Sequence, residues 1–229
     1  MFWVSCGVNL EINRIILTDL CYLFQSYQSV NMKFLSPTTI TISGMTSSGK
    51  TYWLHRVLNE NLFETPVENI YWCYGVWQSL YDQMSNVNFI KGIPTSFDEL
   101  ANGRHNIIVL DDLQDEVTNS KSVETLFTRG MHHQNFTVIY ITQNLFRQGK
   151  NARNIALNSH YTVLFKNPRA KTQTKVLATQ TGLKHLVEAY EDCMKEKYGY
   201  LIIDLSPHSD ERYRLRTHIF PEEDVIVYQ

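Results

Sequence analysis

The 229-residue chain has no run of 18 or more consecutive apolar residues, so no helix of it is long and apolar enough to cross a bilayer. Cysteine is scarce and unpatterned. Cys6, Cys21, Cys73 and Cys193 form no CxxC pair, and no Cys/His spacing suggests zinc. Unpaired thiols in a reducing, intracellular compartment are the simplest account of them. Residues 1–31 are apolar but interrupted by Glu11, Arg14 and Asp19, and they lack a basic leading region and a small-residue cleavage site. They read poorly as a signal peptide. Because Met32 immediately precedes a clean strand signal, residues 1–31 are read as either a peripheral N-terminal extension or an upstream mis-start, and 32–229 as the domain. No repeat or low-complexity segment occurs.

The most informative absence is local. Between Thr125 and Val187 there is no Asp or Glu, while nine basic residues fall inside: Arg129, Arg147, Lys150, Arg153, Lys166, Arg169, Lys171, Lys175 and Lys184. That segment carries +9, whereas the remainder, with 12 basic against 23 acidic residues, carries −11. The total of −2 therefore conceals a candidate footprint for a polyanion. The bland alternative is that folding scatters these charges over different faces. Hydrophobic residues at 43% and charged residues at 19% fit one globular domain with a sizeable core.

What is present alternates. Strand signals fall at 38–44 ("TTITISG"), 69–75, 89–93, 106–112 ("NIIVLDD"), 136–142 ("FTVIYIT"), 161–167 and 200–205. Helical patterns fall at 50–63, 76–84, 122–133, 170–181 and 183–196, and Ser96 with Glu99 reads as a capping box opening another short helix. The stretch 212–220 is expected to pair back on 200–205. This order predicts an α/β fold with a mostly parallel central sheet flanked by helices and antiparallel strands at its C-terminal edge.

Residues 44–51, Gly44-Met45-Thr46-Ser47-Ser48-Gly49-Lys50-Thr51, match G-x-x-x-x-G-K-[ST] between a strand and a helix. The two glycines let backbone N–H groups turn inward around phosphate oxygens, and the helix start adds a favourable dipole. Lys50 is positioned to reach the β- and γ-phosphates of ATP, and the Thr51 hydroxyl to ligate Mg²⁺. A phosphate loop needs a carboxylate on a nearby strand tip for the metal shell. Asp111 has that position. Asp112 follows as the candidate group that orients and polarises the attacking water, while Asp115 and Glu116 read as a solvated loop or helix start.

In the hydrolysing branch of such proteins, a later strand inserts between phosphate-loop strand and acid strand and offers a polar side chain to the γ-phosphate. The run 136–142 ends in Gln143, whose amide both donates and accepts, so Gln143 is the candidate sensor. A strand or helix cap is the plainer reading of that amide. Likewise His132 and His133 read as helix-end groups rather than metal ligands.

"GMTSSGKT", "VLDDL", "TRGMHHQNFTVIYITQNLF", "NSHYTVLFKNPRAKTQ" and "DLSPHSDERYRLRTHIF" together resemble the genome-packaging ATPases of the FtsK–HerA superfamily. They are most similar to those of Polinton/Maverick and adintovirus-like elements, relatives of the poxvirus-type packaging ATPase. The resemblance spans about 35–220. It implies a P-loop fold of the additional-strand class and a homo-oligomeric ring, six subunits being the expected number, that drives double-stranded DNA into a capsid. Capsid proteins are then further partners, and a host nucleus or virion-assembly site the implied setting. It also implies that Arg129 enters the neighbouring subunit's site, and that the basic loop 144–153 with Lys166, Arg169 and Lys171 can line a DNA pore. Many relatives carry Glu where Asp112 stands. Two other classes stay open on the residues alone: a P-loop nucleoside or nucleotide kinase, and an inactive integrated copy that only binds nucleotide or DNA.

Overall fold

The computed structural model describes residues 24–27, 33–127, 134–146, 155 and 158–229, and the statements below refer to those. Ten strands among them form one sheet: β1 (Phe24–Tyr27), β2 (Thr39–Ser43), β3 (Asn69–Tyr74), β4 (Val87–Lys91), β5 (Asn106–Asp111), β6 (Phe136–Thr142), β7 (Tyr161–Phe165), β8 (Tyr200–Asp204), β9 (Leu215–Thr217) and β10 (Val225–Tyr228). Their spatial order is β1-β10-β9-β8-β7-β2-β6-β5-β3-β4. From β7 to β4 every pairing is parallel. From β7 outward to β1 every pairing is antiparallel.

Helix α1 (Lys50–Asn59) follows β2, α2 (Gln114–Asn119) and α3 (Lys121–Thr125) follow β5, and α4 (Lys171–Thr181) and α5 (Leu186–Cys193) lie between β7 and β8. The continuous apolar run of β5 is explained by burial on both faces. Ile107 and Val109 join Trp53, Leu54 and Val57 of α1 in one cluster, whereas Ile108 and Leu110 join Val117 and Val123 of α2 and α3 in another. All four β5 residues have no measurable exposure, and each contributes on the order of 1.5–3 kcal/mol by leaving water. A third cluster packs α4 and α5 against β8, β9 and β10.

The predicted order of the central strands is observed. β6 lies between β2 and β5, pairing Ser43 with Thr142 on one side and Asp111 with Ile141 on the other. Because these three strands run parallel, their carboxyl ends, and the loops that follow, emerge along one edge.

The sequence expectations fail at short elements. The stretch 76–84 forms only a 3₁₀ turn at Ser79–Gln83, with Val76 and Trp77 exposed before it. Ser96 accepts a bond from the Asp98 amide and donates to the Asp98 carboxylate, so no capping box with Glu99 forms, and only a 3₁₀ turn (Asp98–Leu100) follows. The helix expected over 122–133 is preceded by α2, and 128–133 lie outside the described residues. Strands β1 and β10 were not expected at all. β1 brings part of the 1–31 segment onto the sheet edge beside β10.

Candidate functional site

The loop between β2 and α1 is anchored to both flanking strand ends. Gly44 N donates to Thr142 O at 3.2 Å, and Met45 N donates to Lys166 O at 3.3 Å. A Cβ on Gly44 would stand 2.5 Å from Phe165 Cβ and 2.9 Å from Ser48 Oγ, so the close approach of β7 demands glycine there. Gly49 adopts the left-handed region (φ 100°) as the residue preceding α1, which glycine reaches without Cβ strain. The helix then begins with no side-chain cap and no acid in its first turn. Its positive dipole end is thus left for an external anion.

A cleft of about 300 Å³ opens at this edge. It brings together Thr46, Ser47, Gly49, Lys50, Thr51, Asp111, Asp112 and Gln143 from the sequence-predicted set, while Gly44, Met45 and Ser48 stay off its wall. Lys50 is 8% exposed, and its Nζ donates to Gly44 O at 2.8 Å and Met45 O at 2.7 Å. The lysine is therefore folded back on its own loop. Burial lowers its pKa, and the charges of Asp111 and Asp112 oppose that shift.

Asp111 ends β5 and is 3% exposed. Tyr81, from the 3₁₀ turn after β3, donates to its Oδ2 at 2.8 Å, and the Thr51 hydroxyl reaches the same oxygen at 3.5 Å. Burial pushes the Asp111 carboxyl up to about 6, against the lowering effect of the Tyr81 bond. Asp112 is exposed and left-handed (φ 55°). Its carbonyl packs over Gly75, where a Cβ would clash with it. The turn thus points consecutive acids into different environments, one buried and one at the cleft surface. Asp115 and Glu116 are exposed in the first turn of α2, the helix start expected for them.

Gln143 is exposed at the tip of β6, and its backbone carbonyl accepts a bond from Asn167 Nδ2 at 3.3 Å. Arg129, His132, His133 and most of the loop 144–153 lie outside the described residues. Lys166 and Arg169 are described and exposed; of the Lys171 side chain nothing is described.

Thr51 and Asp111 are hard oxygen donors of the kind that suits Mg²⁺. Among the described residues no group of three or more His, Cys, Asp or Glu is arranged for a metal, so phosphate and water oxygens would complete such a shell. Ser48 Oγ is buried in the loop without a hydrogen-bond partner, on the side of Gly44 and off the cleft wall.

Sequence reasoning missed Tyr81. Its contact with Asp111 spans 30 residues, and no local spacing could have signalled it. It also missed Tyr52, Gln78 and Gln114 on the cleft wall.

No protein-family model matches this chain, and neither does any curated protein. Among solved structures, the sulfate complex of the genome-packaging NTPase B204 from Sulfolobus turreted icosahedral virus 2 is similar, with a TM-score of 0.50 and 13% identity over 82% of this chain and 97% of that one. The DNA-packaging ATPase B204 from Sulfolobus turreted icosahedral virus matches at TM-score 0.49 and 13% identity, over 85% of this chain and 98% of that one. ATPases 2 and 3 of EssC from Geobacillus thermodenitrificans match at TM-score 0.43 and 10% identity, over 83% and 39%. At such identities the likeness is one of fold: a P-loop NTPase sheet, mostly parallel, with antiparallel strands on its C-terminal side.

Proposed function

We propose that the protein hydrolyses ATP with Mg²⁺ and uses the energy to translocate double-stranded DNA, packaging a viral or virus-like genome into a capsid as a ring of identical subunits. The observation that carries this reading is the insertion of β6 between β2 and β5, which sets Gln143 in one cleft with Lys50 and Asp111. An amide there can contact both a γ-phosphate oxygen and the water that attacks it.

Each residue then has a task. The start of α1 and the loop N–H groups bind the phosphates, and Lys50 exchanges its two loop carbonyls for phosphate oxygens. Thr51 and Asp111 would hold Mg²⁺, Asp111 through its ionised form, with Tyr81 fixing the orientation of that carboxylate; the ion would supply positive charge to the phosphate oxygens. Asp112 orients and polarises water from the cleft surface, and Gln143 registers the γ-phosphate.

The B204 structures are of genome-packaging proteins, and this chain shares their fold. The exposed Lys166, Arg169, Lys175 and Lys184 lie in a segment without acids, and they suit sequence-independent contacts to DNA phosphates. On the resemblance to packaging ATPases of Polinton/Maverick and adintovirus-like elements, Arg129 supplies positive charge to the adjacent subunit's site, an effect on the order of 10³-fold or more in related systems.

Steady-state hydrolysis with and without long double-stranded DNA tests the proposal. DNA should stimulate turnover, stimulation should fall with added salt, and Arg129→Ala should abolish it. Unstimulated turnover that Arg129→Ala leaves unchanged would contradict the translocase reading, and phosphate transfer to a nucleoside without DNA would replace it with a kinase.

A further inference from the structure

Behind the phosphate loop lies a second and larger cleft, of about 640 Å³, to which nothing above assigns a role. It shares Ser47, Gly49 and Tyr52 with the phosphate cleft, so the two hollows are separated only by the start of α1. Their chemistry differs. The first is lined by Lys50 and two carboxylates. The second has an aromatic floor in which Trp53 lies 5.4 Å from Tyr200, and Tyr200 6.2 Å from Phe220, centroid to centroid. These three rings are each 5% exposed or less, which makes the floor rigid.

The rim is polar and largely paired. The Arg56 guanidinium lies 3.7 Å above the Phe220 ring and is ion-paired with Glu222 and Glu223, and His218 Nε2 meets Glu196 at 3.0 Å. Lys197, also on the rim, stands apart from these ion pairs.

Two large rings at the mouth are not paid for by burial. Tyr52 is 63% exposed and Tyr198 57%. Tyr198 holds a left-handed backbone (φ 65°), a conformation that a bulky side chain rarely adopts. That turn aims its ring at the phosphate loop, where Cδ1 lies 3.3 Å from the place a Gly49 Cβ would occupy. The exposed Lys197 ammonium lies 5.1 Å from the ring centroid and is free to leave for a better partner such as phosphate. Strain that presents an exposed aromatic ring beside a ligand site is a feature expected of a binding wall.

We propose that this cleft receives the base and ribose of the nucleotide whose phosphates the loop holds, with Tyr198 and Tyr52 as its aromatic walls. The inference rests on the nucleotide-binding reading and adds the other half of the ligand. A polyanion joined to a flat aromatic ring is the one ligand class that fills both hollows at once, because their shared wall lies at the junction. Stacking on such a ring is tolerant of base identity.

Calorimetry on the full chain with Mg-ATP and with Mg-tripolyphosphate separates the halves. Tyr198→Ala should weaken ATP roughly tenfold, the scale of one base–aromatic stack, and leave tripolyphosphate unchanged, while Tyr198→Phe should bind both as the wild type does. Retained tripolyphosphate binding also shows that the variant has folded. Unchanged ATP affinity in Tyr198→Ala, or an equal loss for both ligands, would overturn the base-site assignment while leaving the phosphate site standing. A wild-type protein that binds neither ligand would instead overturn the nucleotide reading beneath it.

Discussion

Two buried aspartates end strands of the same sheet, and each is 3% exposed. Asp204, at the end of β8 in the antiparallel wing, accepts from Arg216 at 3.0 Å, from Ser206 N at 3.1 Å and from the Ser209 hydroxyl at 2.7 Å. Its charge is met by a guanidinium that is itself 4% exposed. Asp111, at the end of β5 in the parallel half, has a phenol and a long threonine contact, and among the described residues no basic group within ion-pair distance. The nearby Lys50 bonds to loop carbonyls instead. A buried acid whose partners are complete is architecture. A buried acid left short of positive charge, beside a loop that favours anions, suits the cation and phosphate proposed for it.

The sharpest way to break this contrast is to remove the charges one at a time. Lys50→Ala and Asp111→Asn should each lower ATP hydrolysis by roughly 10²-fold or more, the first by removing positive charge from the phosphate site and the second by weakening the hold on the Mg²⁺ proposed there. Asp111→Asn should meanwhile melt no lower than the wild type without ligand, because it deletes a poorly compensated buried charge. Asp204→Ala should do the reverse. It leaves Arg216 buried without a counter-charge and should cost about 3–5 kcal/mol in denaturant unfolding, with nucleotide affinity retained in the folded fraction.

Titration sharpens the contrast further. The folded-state pKa of Asp111 is raised by burial to about 6, so the folded state favours its protonated form. The stability this provides is fully present below pH 4 and is lost as pH rises through 6. The stability advantage of Asp111→Asn over the wild type, measured without Mg²⁺ or nucleotide, should therefore be small near pH 4 and reach its maximum above pH 6. The smallest effect expected is that of Tyr81→Phe. Loss of one hydrogen bond to a carboxylate, about 1–3 kcal/mol, should weaken Mg-nucleotide binding several-fold and raise the pH at which Asp111 ionises.

What could be read in the sequence follows the range of the interaction. The phosphate loop is eight contiguous residues, and the strands 39–43, 106–111 and 136–142 are rich in β-branched and apolar residues and buried on every residue, so both were legible. The insertion of β6 was legible because the motif order fixed which strand tip needed the glutamine. Tyr81 was not, since a 3₁₀ turn and a strand end meet only in three dimensions. The β10–β1 pairing joins residues some 200 positions apart, with neither strand longer than four residues, and no periodicity marks so short a pair. At Ser96 the capping pattern was present, yet the side chain closed on Asp98 two residues along, a local bond that competes with helix formation.

The most direct test of the account is Mg-dependent ATP hydrolysis by wild type, Asp111→Asn and Asp204→Ala, each assayed with and without long double-stranded DNA at a temperature where all three are folded. Hydrolysis that rises with DNA in the wild type, vanishes in Asp111→Asn and persists in Asp204→Ala is the predicted result. Equal turnover in wild type and Asp111→Asn would contradict it, because the chemistry would then not reside at the tip of β5.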